Sequence, residues 1–221
     1  MLTRPAAVVC DMDGLLIDSE RLERRVWRLA AIEHGIEMSD ERFASFVGHP
    51  SDEGERMLRG YFGDTFDVSG FRESCRRGIR EIMETEGVGL RPGAREWLAF
   101  VSELGIPLAV ATSSGPRLMN ERLGDLQSLF AAVVTRADVA RGKPFPDLYL
   151  EAARRLAVPA TECVAFEDSP TGARAALAAG MPVVVIPDLV ALPDELREEV
   201  AGVFESLDEI RAAVSDHWKH R

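Results

Sequence analysis

Hydrophobic positions follow two rhythms along this chain, and the change between them divides it. Residues 6–10 (Ala-Ala-Val-Val-Cys) are a short, β-branched run bounded by Pro5 and Gly14, the pattern of a buried strand. From residue 19 to residue 86 the spacing becomes three and four. Leu22, Val26, Leu29 and Ala30 share one face of a first helix, which Gly35 ends. Ser39 caps a short second helix with Phe43, Phe46 and Val47. After the break at Gly48-His49-Pro50, Met57, Leu58, Tyr61 and Phe62 mark a third helix. Phe71, Cys75, Ile79, Ile82 and Met83 mark a fourth. No strand is expected in this stretch.

A second break, Leu90-Arg91-Pro92-Gly93, opens a region where strands and helices alternate. A helix with Trp97, Leu98, Val101 and Leu104 stops at Gly105, and a strand over 107–111 runs into Thr112-Ser113-Ser114-Gly115. Pro116 suits the first turn of the next helix. A strand over 131–134, a helix over 147–156, a strand over 163–166 ending in Glu167-Asp168, a helix over 170–179 and a strand over 182–186 follow. Ser206 and Glu209 form a capping box for a last helix, and residues 215–221 are expected to fray. Alternation of this kind gives an α/β fold with a doubly wound parallel sheet. The link between the first two strands, from Gly14 to Ile106, is far longer than the others. The economical division is a core of residues 1–14 and 92–221, with residues 15–91 inserted as a helical cap expected to sit over Asp11 and Asp13.

Composition narrows the function classes. The chain has 221 residues and a net charge of −11, which argues against a nucleic-acid partner. No run approaches ~18 apolar residues, so no membrane span is expected, and residues 1–5 lack a signal-peptide pattern, so a cytoplasmic location is expected. The three cysteines, Cys10, Cys75 and Cys163, lie too far apart for a Cys-x-x-Cys site, and Cys10 and Cys163 fit core thiols. Nothing demands a dimer, so a monomer is expected.

The chemistry collects at strand ends, where open parallel sheets bind ligands. Asp11 and Asp13 follow the first strand, Thr112 the second, Glu167-Asp168 a later one, and Lys143 lies in the loop after another. Carboxylates crowded together need a cation or a proton. Oxygen ligands from Asp11 and Asp168 suit Mg²⁺, which also binds substrate phosphate. Lys143, Thr112 and the amides around Ser113, Ser114 and Gly115 suit phosphoryl oxygens. One carboxylate can attack phosphorus while the other handles protons.

Four segments resemble the motifs of the haloacid dehalogenase superfamily. They are Asp11-Met12-Asp13-Gly14 with Asp18-Ser19-Glu20, then Ala111-Thr112-Ser113-Ser114, then Arg141-Gly142-Lys143-Pro144 with Pro146-Asp147, and Phe166-Glu167-Asp168-Ser169-Pro170 with Gly172. The insertion point is similar to that of the helical-cap subgroup containing β-phosphoglucomutase and phosphoglycolate phosphatase. The resemblance implies Asp11 as nucleophile and metal ligand, and Asp13 as general acid/base with its backbone carbonyl on the metal. It implies Thr112 and Lys143 as phosphoryl-binding groups, and Asp168 with Glu167 completing a Mg²⁺ site. Ser113, Ser114, Glu20 and His49 are further candidates for substrate contact. The expected function is hydrolysis of a small phosphorylated metabolite, such as a sugar phosphate, through an aspartyl-phosphate.

One departure bears on the choice of reaction. The β-phosphoglucomutases carry a cap arginine for the substrate's second phosphate, and Ser51 stands at that place here. That favours hydrolysis over a mutase, although Arg24, Arg28, Arg56 or Arg76 could substitute. A haloacid dehalogenase would be insensitive to EDTA, and a non-catalytic binding module would release no phosphate from any ester.

Overall fold

The computed structural model describes residues 2–46 and 51–219. They fall into two compact units, Met1–Asp18 with Gly89–Arg221, and Ser19–Val88.

The first unit is an α/β layer structure. Six parallel strands, β1 (Ala7–Cys10), β2 (Leu108–Ala111), β3 (Ala132–Val134), β4 (Cys163–Glu167), β5 (Val183–Val185) and β6 (Gly202–Val203), stand in the order β3-β2-β1-β4-β5-β6. β1 is central: Cys10 pairs with Val110 of β2 on one side and with Phe166 of β4 on the other. Winding goes outward from β1 to β3, returns to β4 and continues to β6. The reversal falls beside β1, so the C-terminal ends of β1, β2 and β4 converge there, the place where such sheets bind ligands.

Short strands of Val, Ala and Cys form this sheet because both of its faces are covered. On one face Ala7, Val9, Ala109 and Ala165 pack against Leu148, Tyr149 and Ala152 of α7 (Asp147–Leu156) and Ala173 and Ala176 of α8 (Pro170–Ala178). Helix α6 (Pro116–Leu123) lies between β2 and β3 in sequence, with Pro116 in its first turn. On the other face Trp97 of α5 (Ala94–Glu103) lies with its ring centroid 4.7 Å from that of Phe166 and 5.8 Å from that of Trp218.

Trp218 corrects one expectation. Helix α10 (Leu207–Lys219) is continuous through residues 215–219, where fraying was expected. Trp218 is fully buried, and its indole donates to the Leu2 carbonyl at 3.3 Å. Burying an aromatic ring of this size outweighs the entropy of one more helical turn. The capping box at this helix is also altered: Ser206 accepts from the Glu209 amide, but the Glu209 carboxylate takes the amide of Glu205. Helix α9 (Asp194–Glu199) and edge strand β6 were not foreseen; both are short, and β6 has two residues.

The second unit is helical, and among its described residues there is no strand. Helices α1 (Ser19–Glu33) and α4 (Val68–Thr85) pack together, with α2 (Asp40–Ala44) and α3 (Ser51–Phe62) beside them. Its centre is aromatic: the Trp27 ring lies 5.5 Å from Phe43, 5.0 Å from Phe46 and 5.4 Å from Phe71. Ser39 caps α2 as expected. The arginines at 24, 25 and 28 pair with Asp40 and Glu86 on the exposed side. Residues 47–50, including His49, lie outside the described residues.

The segments that leave and re-enter the first unit run side by side. Ile17 bridges Leu90 in antiparallel fashion, Asp18 N donates to Gly89 O, and Arg91 N donates to Leu16 O. No helix among the described residues is long and apolar enough to cross a membrane.

Candidate active site

Asp11 is the residue after β1, and its amide donates to the Phe166 carbonyl at 2.9 Å, so backbone pairing with β4 fixes where its side chain starts. The turn that follows needs Gly14, whose φ is +84° and whose missing Cβ would stand 2.1 Å from Asp168 Oδ2. A side chain there would displace the Asp168 carboxylate from beside Asp11. Gly172 has the same meaning at the next loop: a Cβ would lie 1.8 Å from Glu167 Oε1. The glycines of the first and fourth motifs make room for acids.

On one side of the site is a buried charge cluster. Lys143 Nζ donates to Asp11 Oδ1 and, at 2.5 Å, to Glu167 Oε1. Tyr149, on α7, donates its hydroxyl to the same Glu167 oxygen at 2.5 Å, and its ring lies under the ammonium with the centroid 5.2 Å away. Glu167 Oε2 accepts from the amides of Asp168 and Ser169 and from the Ser169 hydroxyl. Both oxygens of this fully buried carboxylate are therefore engaged within the chain.

Burial pushes the Asp11 carboxyl up to about 7; Lys143 pulls it down, and the nearby Glu167 and Asp13 carboxylates add to the rise. Burial works against the Lys143 ammonium, but Asp11 and Glu167 outweigh it and raise its pKa, so the lysine stays charged. Burial, with Glu167 and Asp11 beside it, raises the Tyr149 phenol well above its usual value and keeps it a donor.

On the other side Asp13 is held differently. Thr112 Oγ1 donates to its Oδ2 at 3.2 Å and Ser114 Oγ donates to the same atom at 2.7 Å. Arg122, a buried residue of α6, pairs with Oδ1. The Asp13 side chain remains 25% exposed, against 8% for Asp11. The more open carboxylate is the one better placed to exchange protons with substrate or water.

Carboxylate oxygens of Asp11, Glu167 and Asp168 lie within 4.8 Å of one another. Three buried acids crowd together here, and the donors are all hard oxygens. That donor set fits Mg²⁺. Asp11 and Asp168 would hold it; Glu167 borders the same space, but it would have to give up one of its present donors to serve as a third ligand.

The topology thus brings Asp11, Asp13, Thr112, Ser114, Lys143, Glu167 and Asp168 together. Ser113 is exposed, and Glu20 lies in the first turn of α1 in the helical unit. Two participants went unforeseen. Arg122 shares a buried helix face with Met119 and Leu123, a place where an apolar residue is expected. Tyr149 lies on the inward face of α7, and its helical spacing speaks for a core ring but is silent about the hydroxyl.

In sequence and fold the chain is similar to known hydrolases. The haloacid dehalogenase-like hydrolase family profile matches residues 5–180. A phosphorylated carbohydrates phosphatase of Thermotoga maritima is 32% identical over 211 residues, covering 93% of this chain and 88% of that protein. Hexitol phosphatase A of Escherichia coli is 33% identical over 202 residues, covering 90% of each. Among solved structures, a HAD family hydrolase of Deinococcus radiodurans with bound phosphate and sodium superposes with a TM-score of 0.84 at 29% identity, covering 98% of this chain and 97% of that one. The chain belongs to the haloacid dehalogenase-like hydrolases, and with named phosphatases among its relatives it is a phosphatase of that family.

Proposed function

We propose that this phosphatase hydrolyses monoesters of small phosphorylated metabolites, sugar phosphates foremost, through an aspartyl-phosphate on Asp11, with Mg²⁺ as cofactor. The observation that carries the reading is the contrast between two acids two residues apart, one buried on a lysine and one more exposed and held by hydroxyls. An Asp11 oxygen attacks phosphorus and the ester P–O bond breaks. The leaving alkoxide takes a proton from Asp13. Water then attacks the acyl phosphate and gives its proton to Asp13, which releases orthophosphate and restores Asp11. Lys143 holds Asp11 in place and neutralises charge on the transferring group. Thr112 and Ser114 hold Asp13 in the free enzyme and can re-aim their hydroxyls at phosphoryl oxygens.

When bound, Mg²⁺ supplies charge compensation for phosphate and carboxylate together. Asp11, Asp168, Glu167 and the Asp13 carbonyl are its proposed ligands. Residues 15–91 are read as a cap domain that selects the substrate, with Glu20 and His49 as candidate contacts. The names of the Thermotoga and Escherichia relatives favour phosphorylated carbohydrates and hexitols.

The test is a panel of phosphate monoesters with Mg²⁺ present, including sugar phosphates, phosphoglycolate, nucleotides and hexose 1-phosphates. Release of orthophosphate is the expected result. Release from none of them overturns the proposal, and conversion of a hexose 1-phosphate to its 6-phosphate without release establishes a mutase instead.

A further inference from the structure

Arg122 is the least expected charge in the α/β unit. It lies in the last turn of the short helix α6 that follows the Thr112-Ser113-Ser114 segment, and it shares the inner face of that helix with Met119 and Leu123. Only 3% of its side chain is exposed. A guanidinium so far from water is costly unless it is paired. The pairing found here is with Asp13 Oδ1.

The Asp13 carboxylate is thereby fixed from two directions. Thr112 and Ser114 occupy Oδ2, and Arg122 occupies one position on Oδ1. The backbone is fixed as well, because the turn through Gly14 is closed by Gly14 N on Ile17 O at 2.9 Å and Leu16 N on Met12 O at 3.0 Å. Lysine at this place would supply a flexible ammonium, whereas the contact here is made by Nη1 of a planar, buried guanidinium whose orientation is set by the helix face it packs on.

We infer that Arg122 is a positioning residue for proton transfer: it holds the Asp13 carboxylate by Oδ1 and keeps its orientation toward substrate when the Thr112 and Ser114 hydroxyls turn to phosphoryl oxygens. This rests on the reading of Asp13 as the general acid and base. Arg122 touches neither nucleophile nor substrate in this scheme; it acts through Asp13. An ion pair kept for stability alone would show the same contact, so the test must separate orientation from stability.

The separation comes from the leaving group. Cleavage of an aryl phosphate such as 4-nitrophenyl phosphate expels an oxygen that needs little protonation, whereas an alkyl phosphate needs a proton delivered in the transition state. kcat/KM covers the steps up to P–O cleavage. For Arg122→Met, kcat/KM toward an alkyl phosphate should fall roughly 30- to 100-fold, below the full loss of a general acid because Asp13 is misdirected rather than removed. Toward the aryl ester it should fall at least tenfold less. Arg122→Lys should recover part of the alkyl activity, and thermal melts should show both variants folded. If Arg122→Met does not fold, Arg122→Lys carries the same comparison. Equal losses on the two esters, or no loss on either, would overturn the inference while leaving the functional reading intact. The alkyl ester is the best substrate of the phosphate-monoester panel; if the wild-type protein releases phosphate from nothing on that panel, the functional reading fails, and the inference fails with it.

Discussion

Asp11 and Asp13 are separated by one residue, yet they stand in two unlike halves of the same site. The Asp11 half is closed: Lys143, Glu167 and Tyr149 form a buried chain of charge-assisted hydrogen bonds behind it. The Asp13 half is more open, and two hydroxyls and a guanidinium hold its acid. Enzymes that need a nucleophile and a proton carrier from the same residue type can obtain both by giving them different surroundings. A buried carboxylate held by a lysine cannot stray or hydrate freely, which suits attack. A carboxylate with one face toward solvent can lose and regain a proton.

The largest effect should come from exchanging each acid for its amide. Asp11→Asn removes the attacking oxygen but keeps shape and hydrogen-bonding capacity, so turnover should fall by roughly a thousandfold or more with thermal stability retained. Asp13→Asn should cost about 10²–10⁴ in kcat with alkyl esters, the usual range for a lost general acid. It should still form the acyl phosphate from an aryl ester, seen as a burst of phenol in rapid-quench or stopped-flow measurements. A burst in the Asp11 variant, or none in the Asp13 variant, would break the division of labour.

A second effect, of intermediate size, tests the metal side. Asp11 has its folded pKa raised to about 7, well above the roughly 3.9 of an unfolded aspartate. Its share of stability in the metal-free protein is fully present below about pH 4 and is lost as pH rises through about 7. A cation on this carboxylate offsets that loss. The increase in Tm on adding Mg²⁺ should therefore grow between about pH 5 and about pH 8, and EDTA should reverse it. An increase that stays flat across this range would remove Asp11 from the proposed ligands.

How much of this could be read from the chain differs between the two halves for a physical reason. Asp11, Lys143 and Asp168 announce themselves because each follows an apolar run or a break, and parallel topology collects strand ends at one place. The strands and most helices were legible for the same reason, as sheet and helix have distinct periods. Arg122 and Tyr149 were not, because each sits on an inward helix face where the spacing says only that the position is buried. What such a side chain's polar end meets depends on contacts across 109 and 18 residues of sequence. The misread C-terminus is different in kind. Ile210, Val214 and Trp218 continue a spacing of four, so the signal for the last helical turn was present among the charges around it.

The smallest effect should come from Tyr149→Phe, and it shows whether the closed half works by chemistry or by support. The hydroxyl meets Glu167 Oε1 at 2.5 Å, and nothing places it on the reacting groups. Removing it leaves that oxygen with Lys143 alone, while the ring under the ammonium is kept. Loss of one charge-assisted donor to a buried carboxylate should cost about 1–3 kcal/mol. For a chain of this length that lowers Tm by about 2–4 °C per kcal/mol. Because Glu167 keeps its Ser169 and backbone donors, Lys143 should shift little, and kcat should drop only a few-fold with KM unchanged. The measurement is a melt beside steady-state kinetics of the same preparation. If kcat instead collapses as far as in Asp11→Asn while the melt hardly moves, Tyr149 takes part in the reaction, and the closed half is more than a mount for the nucleophile.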